Sequence, residues 1–284
     1  MPGPSTFSED CLGGIVSEFS FKKFLIPQGG RHLSIGCSVR SGDDLNLLCL
    51  HGLGCSKEDF RGAGRMDSLR PYNIVTFDFP GCGDSPYPDD RRLGMKDLVE
   101  ITDAVVEELD LKNLVLLGHS MGAVVGLLYI EEHGDRVKGF INTEGNLVPE
   151  DCFISRRVVG LSFDRFMKEI LEPLSREMAE SDNPEFRRYA KNLHRGECAR
   201  AVYDYSPSLV DYSDNGDLLR RFVNIAIPRL FIYGSDNRGR PCVHRLVEKG
   251  IDVAEIQGSG HFPFHDNPEA YYNVIAHFME FVSL

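Results

Sequence analysis

The sequence is short of positive charge and has no long apolar run, and each shortage excludes a kind of partner. Its 31 lysines and arginines are outnumbered by 43 acidic residues, which leaves a formal net charge of −12. Such a balance disfavours phosphate backbones and anionic lipid surfaces, so we expect no nucleic-acid partner and no membrane partner. No stretch approaches the roughly 20 apolar residues that span a bilayer, and the N-terminal residues lack a secretory-signal pattern. We therefore expect a cytoplasmic location.

Patterns that hold metals or nucleotides are also missing. The eight cysteines and nine histidines form neither C-x-x-C nor H-E-x-x-H. The glycine-rich segments match neither G-x-G-x-x-G nor the lysine-containing P-loop. We therefore expect no metal, no cofactor, and cysteines that remain free thiols in a reducing compartment.

What the sequence has is a regular alternation of strand and helix patterns. Short apolar runs bounded by turn residues predict strands at 19–26, 33–39, 45–50, 73–77, 114–117, 137–142, 229–233 and 251–256. Helical spacing predicts helices at 57–69, 95–109, 123–132, 243–249 and 269–282. Because such alternation implies right-handed crossovers, we predict an α/β fold with a mainly parallel, doubly wound sheet.

One long interruption divides this pattern. Between Gly145 and Asn224 the strand pattern disappears, and apolar residues recur at helical spacing, with breaks predicted at Pro184 and near Pro207. We interpret residues 145–224 as an inserted helical cap, and residues 1–144 and 225–284 as the two parts of one core.

The strongest chemical signal is a G-x-S-x-G pattern around Ser120. It lies between the predicted strand 114–117 and a helix, the context of a nucleophile elbow, in which a sharp turn exposes the serine hydroxyl. The same pattern without those flanks would only be a glycine-containing turn. Its position predicts that Ser120 is a catalytic nucleophile.

A nucleophilic serine needs a base and an acid. The triad order serine, acid, histidine places the base late, which favours His261, in a glycine-flanked loop, over His265. The acid must accept the second imidazole hydrogen bond. Glu144 and Asp236 both follow predicted strands, so the residues alone leave both open.

Four ordered segments carry a family resemblance. Residues 51–54 resemble an oxyanion loop, 78–85 resemble a D-x-x-G-x-G-x-S loop, and 118–122 and 258–261 match the elbow and histidine loops. The chain therefore resembles a capped member of the α/β-hydrolase superfamily over nearly its whole length. The resemblance implies an α/β-hydrolase fold, with an oxyanion hole formed by the backbone amides of Leu53 and Met121.

The resemblance also bears on the acid and on the reaction. In most members the acid is usually three residues beyond a glycine after the post-cap strand, a position that Asn237 occupies here, with Asp236 one place early. Other members carry it about two dozen residues beyond the nucleophile, which favours Glu144. A serine at position 120 argues against dehalogenase and epoxide-hydrolase chemistry, which the family associates with an aspartate nucleophile.

The expected activity is hydrolysis of a small-molecule ester or lactone through an acyl-enzyme on Ser120. Aromatic residues of the predicted cap suggest an apolar substrate, although they could equally pack the cap: Phe153, Phe163, Phe166, Tyr203 and Tyr205. The alternatives are a carbon–carbon bond hydrolase of the same fold, a ligand-binding receptor with little turnover, and cofactor-free oxygenation or perhydrolysis.

Overall fold

The computed structural model describes residues 19–193 and 196–284. The N-terminal residues without a secretory-signal pattern, and Cys11 among them, lie outside this part of the chain. The described strands are Ser20–Gln28 (β1), Arg31–Arg40 (β2), Asp43–Leu50 (β3), Tyr72–Phe77 (β4), Leu114–His119 (β5), Val137–Thr143 (β6), Arg229–Gly234 (β7) and Val253–Ile256 (β8). They form one sheet in the order β1-β2-β4-β3-β5-β6-β7-β8.

The sheet is mainly parallel. An antiparallel hairpin of β1 and β2 begins it, and β2 also pairs antiparallel with β4. Every later neighbouring pair, from β4 to β8, is parallel. The predicted fold class is therefore confirmed, and the carboxyl ends of β3, β5, β6, β7 and β8 meet at one edge of the sheet.

Helices cover both faces of this sheet. In chain order the α-helices are Met95–Glu108 (α1), Met121–His133 (α2), Ile154–Val158 (α3), Phe163–Phe166 (α4), Glu172–Ala179 (α5), Pro184–Leu193 (α6), Gly196–Asn215 (α7), Leu218–Asn224 (α8), Pro241–Glu248 (α9), Pro263–Asp266 (α10) and Pro268–Ser283 (α11). Along β3, Leu48 and Leu50 pack with α1 and α2, whereas Leu47 and Cys49 pack with α11. Burial on both faces explains why this strand is an unbroken apolar run.

Between β6 and β7 the described residues contain helices but no strand: a 3₁₀ helix at Pro149–Asp151, then α3 to α8 with a π-helical turn at Met167–Leu171. We call this segment the helical insertion. α6 begins at Pro184, but the break predicted near Pro207 is wrong, because α7 continues through it. Proline removes one backbone hydrogen bond. The helix nevertheless persists because its apolar side, including Tyr205 and Leu209, is buried in the core.

The segment 57–69 also differs from its prediction. It forms two 3₁₀ helices, Lys57–Arg65 and Asp67–Leu69, instead of an α-helix. Gly62 and Gly64 weaken α-helix formation there. In addition, the buried Lys57 is fixed from outside the segment by an ion pair of 2.8 Å with Asp78.

The cysteines that the structure describes are free thiols, and all are buried: Cys37, Cys49, Cys55, Cys82, Cys152, Cys198 and Cys242. Within residues 19–193 and 196–284, no helix has both the length and the apolar character needed to cross a membrane.

Candidate active site

Ser120 lies at the turn between β5 and α2 with a strained backbone. Its φ of 51° and ψ of −119° fall in a region that costs a non-glycine residue about 1–3 kcal/mol. Two hydrogen bonds of 3.0 Å hold the turn: the Ser120 amide donates to the Thr143 carbonyl, and the Ala123 amide donates to the Ser120 carbonyl. A Cβ on Gly122 would lie 2.1 Å from the Leu50 carbonyl oxygen, so this turn requires glycine there.

His261 follows β8 and faces Glu144, which directly follows β6. The His261 Nδ1 atom lies 3.5 Å from Glu144 Oε2, at the outer limit of a hydrogen bond. Nδ1 is buried and has no other partner in the described part of the chain. Ser120 and His261 line the same cavity. The fold therefore brings the three residues to the same edge of the sheet, from the carboxyl ends of β5, β6 and β8.

The Glu144 carboxylate is buried and anchored by donors at the end of β7 and just after it. Its Oε1 accepts hydrogen bonds from the Gly234 amide, at 2.8 Å, and from Asn237 Nδ2, at 3.0 Å. Its Oε2 accepts one from Arg240. Burial alone would raise the pKa of Glu144, but the contact with His261 and the charge of Arg240 outweigh it and hold that pKa below its usual value. Glu144 is therefore ionised at neutral pH.

Arg240 links Glu144 to a second carboxylate. Its other terminal nitrogen donates to Asp151 Oδ1 at 2.7 Å, and Asp151 Oδ2 accepts from two backbone amides of the residues before it. The buried guanidinium is thus paired on both sides. Sequence reasoning missed Arg240 and Asp151, because neither belongs to a motif and they meet only through the fold.

Asp236, the alternative acid, takes a different place. Its side chain is exposed, and its amide donates to the Ser259 carbonyl at 3.0 Å. No hydrogen bond or ion pair joins its carboxylate to His261 within the described residues. Its neighbour Asn237 faces Glu144 instead.

His119, next to Ser120, holds the loop that carries His261 in place. Its Nε2 lies 2.9 Å from the His261 carbonyl oxygen, and because a carbonyl only accepts, Nε2 carries the hydrogen. Burial, together with the nearby His261, lowers the pKa of His119 to about 3. His119 is therefore a neutral donor that anchors the backbone of the loop, a role that its sequence position did not indicate.

Two further histidines are held in structural contacts. His265 Nε2 lies 3.1 Å from the buried carboxylate of Asp59. His51 Nδ1 donates to the Gly52 carbonyl at 2.8 Å, and His51 Nε2 accepts from the Phe79 amide at 3.0 Å. Neither ring is among the residues that line the cavity at Ser120.

The cavity at Ser120 has a volume of about 260 Å³ and a mainly apolar lining. The helical insertion contributes Ile154, Met178, Tyr189 and Leu209, and the core contributes Leu53, Cys55 and Phe262. Phe153 lies at the cavity with 53% of its surface exposed, and its ring centroid is 6.2 Å from that of His261.

The other four aromatic residues suggested for substrate contact do not line this cavity. Phe163, Phe166 and Tyr203 pack on one another, and Tyr205 donates to the Pro80 carbonyl at 2.6 Å. They hold the insertion together and join it to the core. Across the described chain, no group of three or more His, Cys, Asp or Glu side chains is arranged to hold a metal ion.

The mainly parallel sheet, with a serine at a strained strand-to-helix turn and a histidine after the last strand, defines an α/β hydrolase. A family model for the alpha/beta hydrolase family matches residues 47–274, and the chain belongs to that family.

Known proteins resemble the chain over most of its length. A proline iminopeptidase of Saccharolobus solfataricus is 24% identical over 271 residues, covering 84% of this chain and 86% of its own. A thermophilic esterase from Thermogutta terrifontis superimposes with a TM-score of 0.74 at 20% identity, covering 92% of this chain and 99% of its own. An N-acyl homoserine lactonase superimposes with a TM-score of 0.72 at 18% identity, covering 93% and 98%. These structural likenesses show a shared fold.

Proposed function

We propose that the protein is a serine hydrolase that cleaves a carboxylic ester or lactone through an acyl-enzyme on Ser120. The observation that carries this proposal is that Ser120 and His261 line one cavity while the buried Glu144 faces the ring of His261. A carboxylate in that position orients the imidazole and stabilises the imidazolium that forms when the serine loses its proton.

In the proposed reaction, His261 takes the proton of Ser120 as its hydroxyl oxygen attacks the carbonyl carbon. The backbone amides of Leu53 and Met121 stabilise the negative oxygen of the tetrahedral intermediate. Met121 is the first residue of α2, where an amide has no intrahelical acceptor and the helix dipole favours negative charge. His261 then gives its proton to the leaving oxygen and activates the water that releases the acid.

The form of the cavity supports a small, apolar substrate. Its volume of about 260 Å³ suits a short acyl chain or one aromatic ring, and its apolar lining favours groups that lose little hydration on binding.

We further propose that residues 145–224 act as a cap domain between core parts 1–144 and 225–284. The residues of this segment that line the cavity, among them Ile154, Met178, Tyr189 and Leu209, support a role as a cap. The buried free thiols support a reducing, cytoplasmic location.

The esterase and lactonase among the structural neighbours support the choice of oxygen esters and lactones as substrates. The relative that is named a proline iminopeptidase makes an aryl amide a necessary comparison substrate. No feature of the site favours a carbon–carbon hydrolase, a receptor or an oxygenase over the ester hydrolase. Each of these alternatives gives a different result in the labelling and substrate test described next.

The test combines active-site labelling with substrates. We expect a fluorophosphonate probe to label Ser120 and short aryl esters or lactones to be hydrolysed, with Ser120→Ala abolishing both. Ser206→Ala is the control, because it makes the same change at a buried serine whose hydroxyl donates to the Val202 carbonyl at 2.7 Å, within α7 and away from the cavity.

Hydrolytic activity retained by Ser120→Ala, or a probe attached to another residue, would refute the nucleophile. Turnover confined to a diketone, or oxygen consumption without hydrolysis, would refute the ester hydrolase and favour the alternative chemistry.

A further inference from the structure

Three consecutive carbonyls of the loop after β3 are held by side chains of the helical insertion. The Tyr189 hydroxyl donates to the Leu53 carbonyl at 3.0 Å. Asn192 Nδ2 donates to the Gly54 carbonyl at 3.0 Å and to the Cys55 carbonyl at 3.3 Å. Both side chains come from α6, so one helix of the insertion fixes a short stretch of core backbone.

The loop and α6 are in direct contact at Gly54. Its φ is +72°, and a Cβ built there would lie 2.7 Å from Leu193 Cδ2 and 2.9 Å from the Tyr189 hydroxyl oxygen. Only a residue without a side chain allows this approach. The loop therefore has no room to shift toward the helix.

The core fixes the same loop from its other side. The Gly52 carbonyl accepts from His51 Nδ1 at 2.8 Å and from the Cys55 amide at 3.2 Å. Because the peptide unit is planar, fixing the Gly52 carbonyl also sets the direction of the Leu53 amide in the same unit. The Tyr189 bond fixes the next peptide unit, so the backbone is held on both sides of the Leu53 Cα atom.

We propose that Tyr189 is a positioning residue for the oxyanion hole, through which the helical insertion controls the direction of the Leu53 amide. The inference rests on the proposed function, because Leu53 matters only if a tetrahedral oxyanion forms at Ser120. It goes beyond that function by making docking of α6 a condition for catalysis as well as for substrate binding.

The test is Tyr189→Phe, which removes only the hydroxyl. We expect kcat for an aryl ester to fall roughly tenfold to a hundredfold with KM within about twofold, less than the roughly hundredfold to thousandfold loss typical of deleting an oxyanion donor. An aryl boronic acid, which becomes tetrahedral on Ser120, should bind more weakly by a similar factor. The carboxylate product, which is trigonal, should bind unchanged.

Tyr203→Phe is the matched control. Tyr203 is also a half-buried tyrosine of the insertion, and its hydroxyl donates to a backbone carbonyl, that of Leu161, at 2.7 Å. Its acceptor lies inside the insertion, so the variant should match wild type in kcat, KM and boronic-acid affinity. A thermal melt of each variant reports whether it is folded.

The outcomes separate the two proposals. If wild-type Ser120 is not labelled by a fluorophosphonate, the proposed function fails and this inference with it. If wild type is labelled but Tyr189→Phe keeps its kcat, or raises only KM, the positioning role alone is overturned. If Tyr189→Phe does not fold, Asn192→Ser, which removes the bonds to Gly54 and Cys55, must lower kcat in the same selective way, and an unchanged kcat overturns the proposal.

Discussion

Replacing Glu144 with glutamine removes one buried negative charge while keeping the size of the side chain. The wild-type carboxylate faces donors on both oxygens, with Gly234 and Asn237 at Oε1, and Arg240 and His261 at Oε2. An amide has one oxygen and one NH₂ group. If the amide oxygen keeps the hydrogen bonds made at Oε1, the NH₂ group takes the place of Oε2. It then faces the N–H groups of Arg240 and His261, so three donors meet without an acceptor.

The size of the effect follows from this mismatch. The imidazolium loses its anionic partner and the imidazole loses the acceptor that orients it, a change that lowers kcat by about 10⁴-fold in serine protease triads. We expect a similar loss here. The free energy of unfolding should fall by only about 1–3 kcal/mol, the cost of an unsatisfied buried group, because Arg240 keeps Asp151 as its ionic partner.

The assay is the rate of aryl-ester hydrolysis, with a urea denaturation curve to show that the variant is folded. Asp236→Asn is the matched control, since it makes the same carboxylate-to-amide change at an exposed position, and we expect less than a twofold change in kcat. A collapse of the rate in Asp236→Asn with near-normal activity in Glu144→Gln would refute the assignment of the acid.

Two further predictions concern buried groups that follow β3, Asp59 and Cys55. Contacts with His265 and Arg188 outweigh burial and lower the pKa of Asp59 from 3.8 to about 2, so the ionised side chain stabilises the fold above pH 4 and that contribution is lost as the pH falls toward 2. Urea denaturation curves give the free energy of unfolding of wild type and of Asp59→Asn at each pH. The difference between the two should shrink by about 2 kcal/mol as the pH falls from 4 to 2. A difference that stays constant would contradict the lowered pKa. Burial and the charge of Asp59 raise the pKa of the Cys55 thiol well above its usual value, so iodoacetamide at neutral pH should alkylate Cys55 in urea but not in the native protein; rapid native alkylation on peptide mass spectrometry would contradict this.

The choice between Glu144 and Asp236 shows where sequence reasoning reached its limit. Both follow strands that end at the same edge, so chain order alone could not separate them. Their backbones differ. Glu144 adopts a φ of 52°, its amide donates to the Ile232 carbonyl at 2.9 Å, and its carboxylate is buried. Asp236 lies in a 3₁₀ turn with its side chain exposed. Such turns depend on contacts between strands that are far apart in sequence.

Patterns carried by neighbouring residues were predictable from the sequence. The alternation of apolar runs determined the parallel sheet, because each run must bury both faces, and the glycines around Ser120 determined the sharp turn, because no larger side chain fits beside β3. Only the tertiary structure decided which carboxylate meets His261, that Arg240 joins Glu144 to Asp151, and that Tyr189 reaches the Leu53 carbonyl. These contacts join residues about 90 to 140 positions apart. Local propensity carries no information about such pairs, since they form only when the strands align and the insertion packs over their ends.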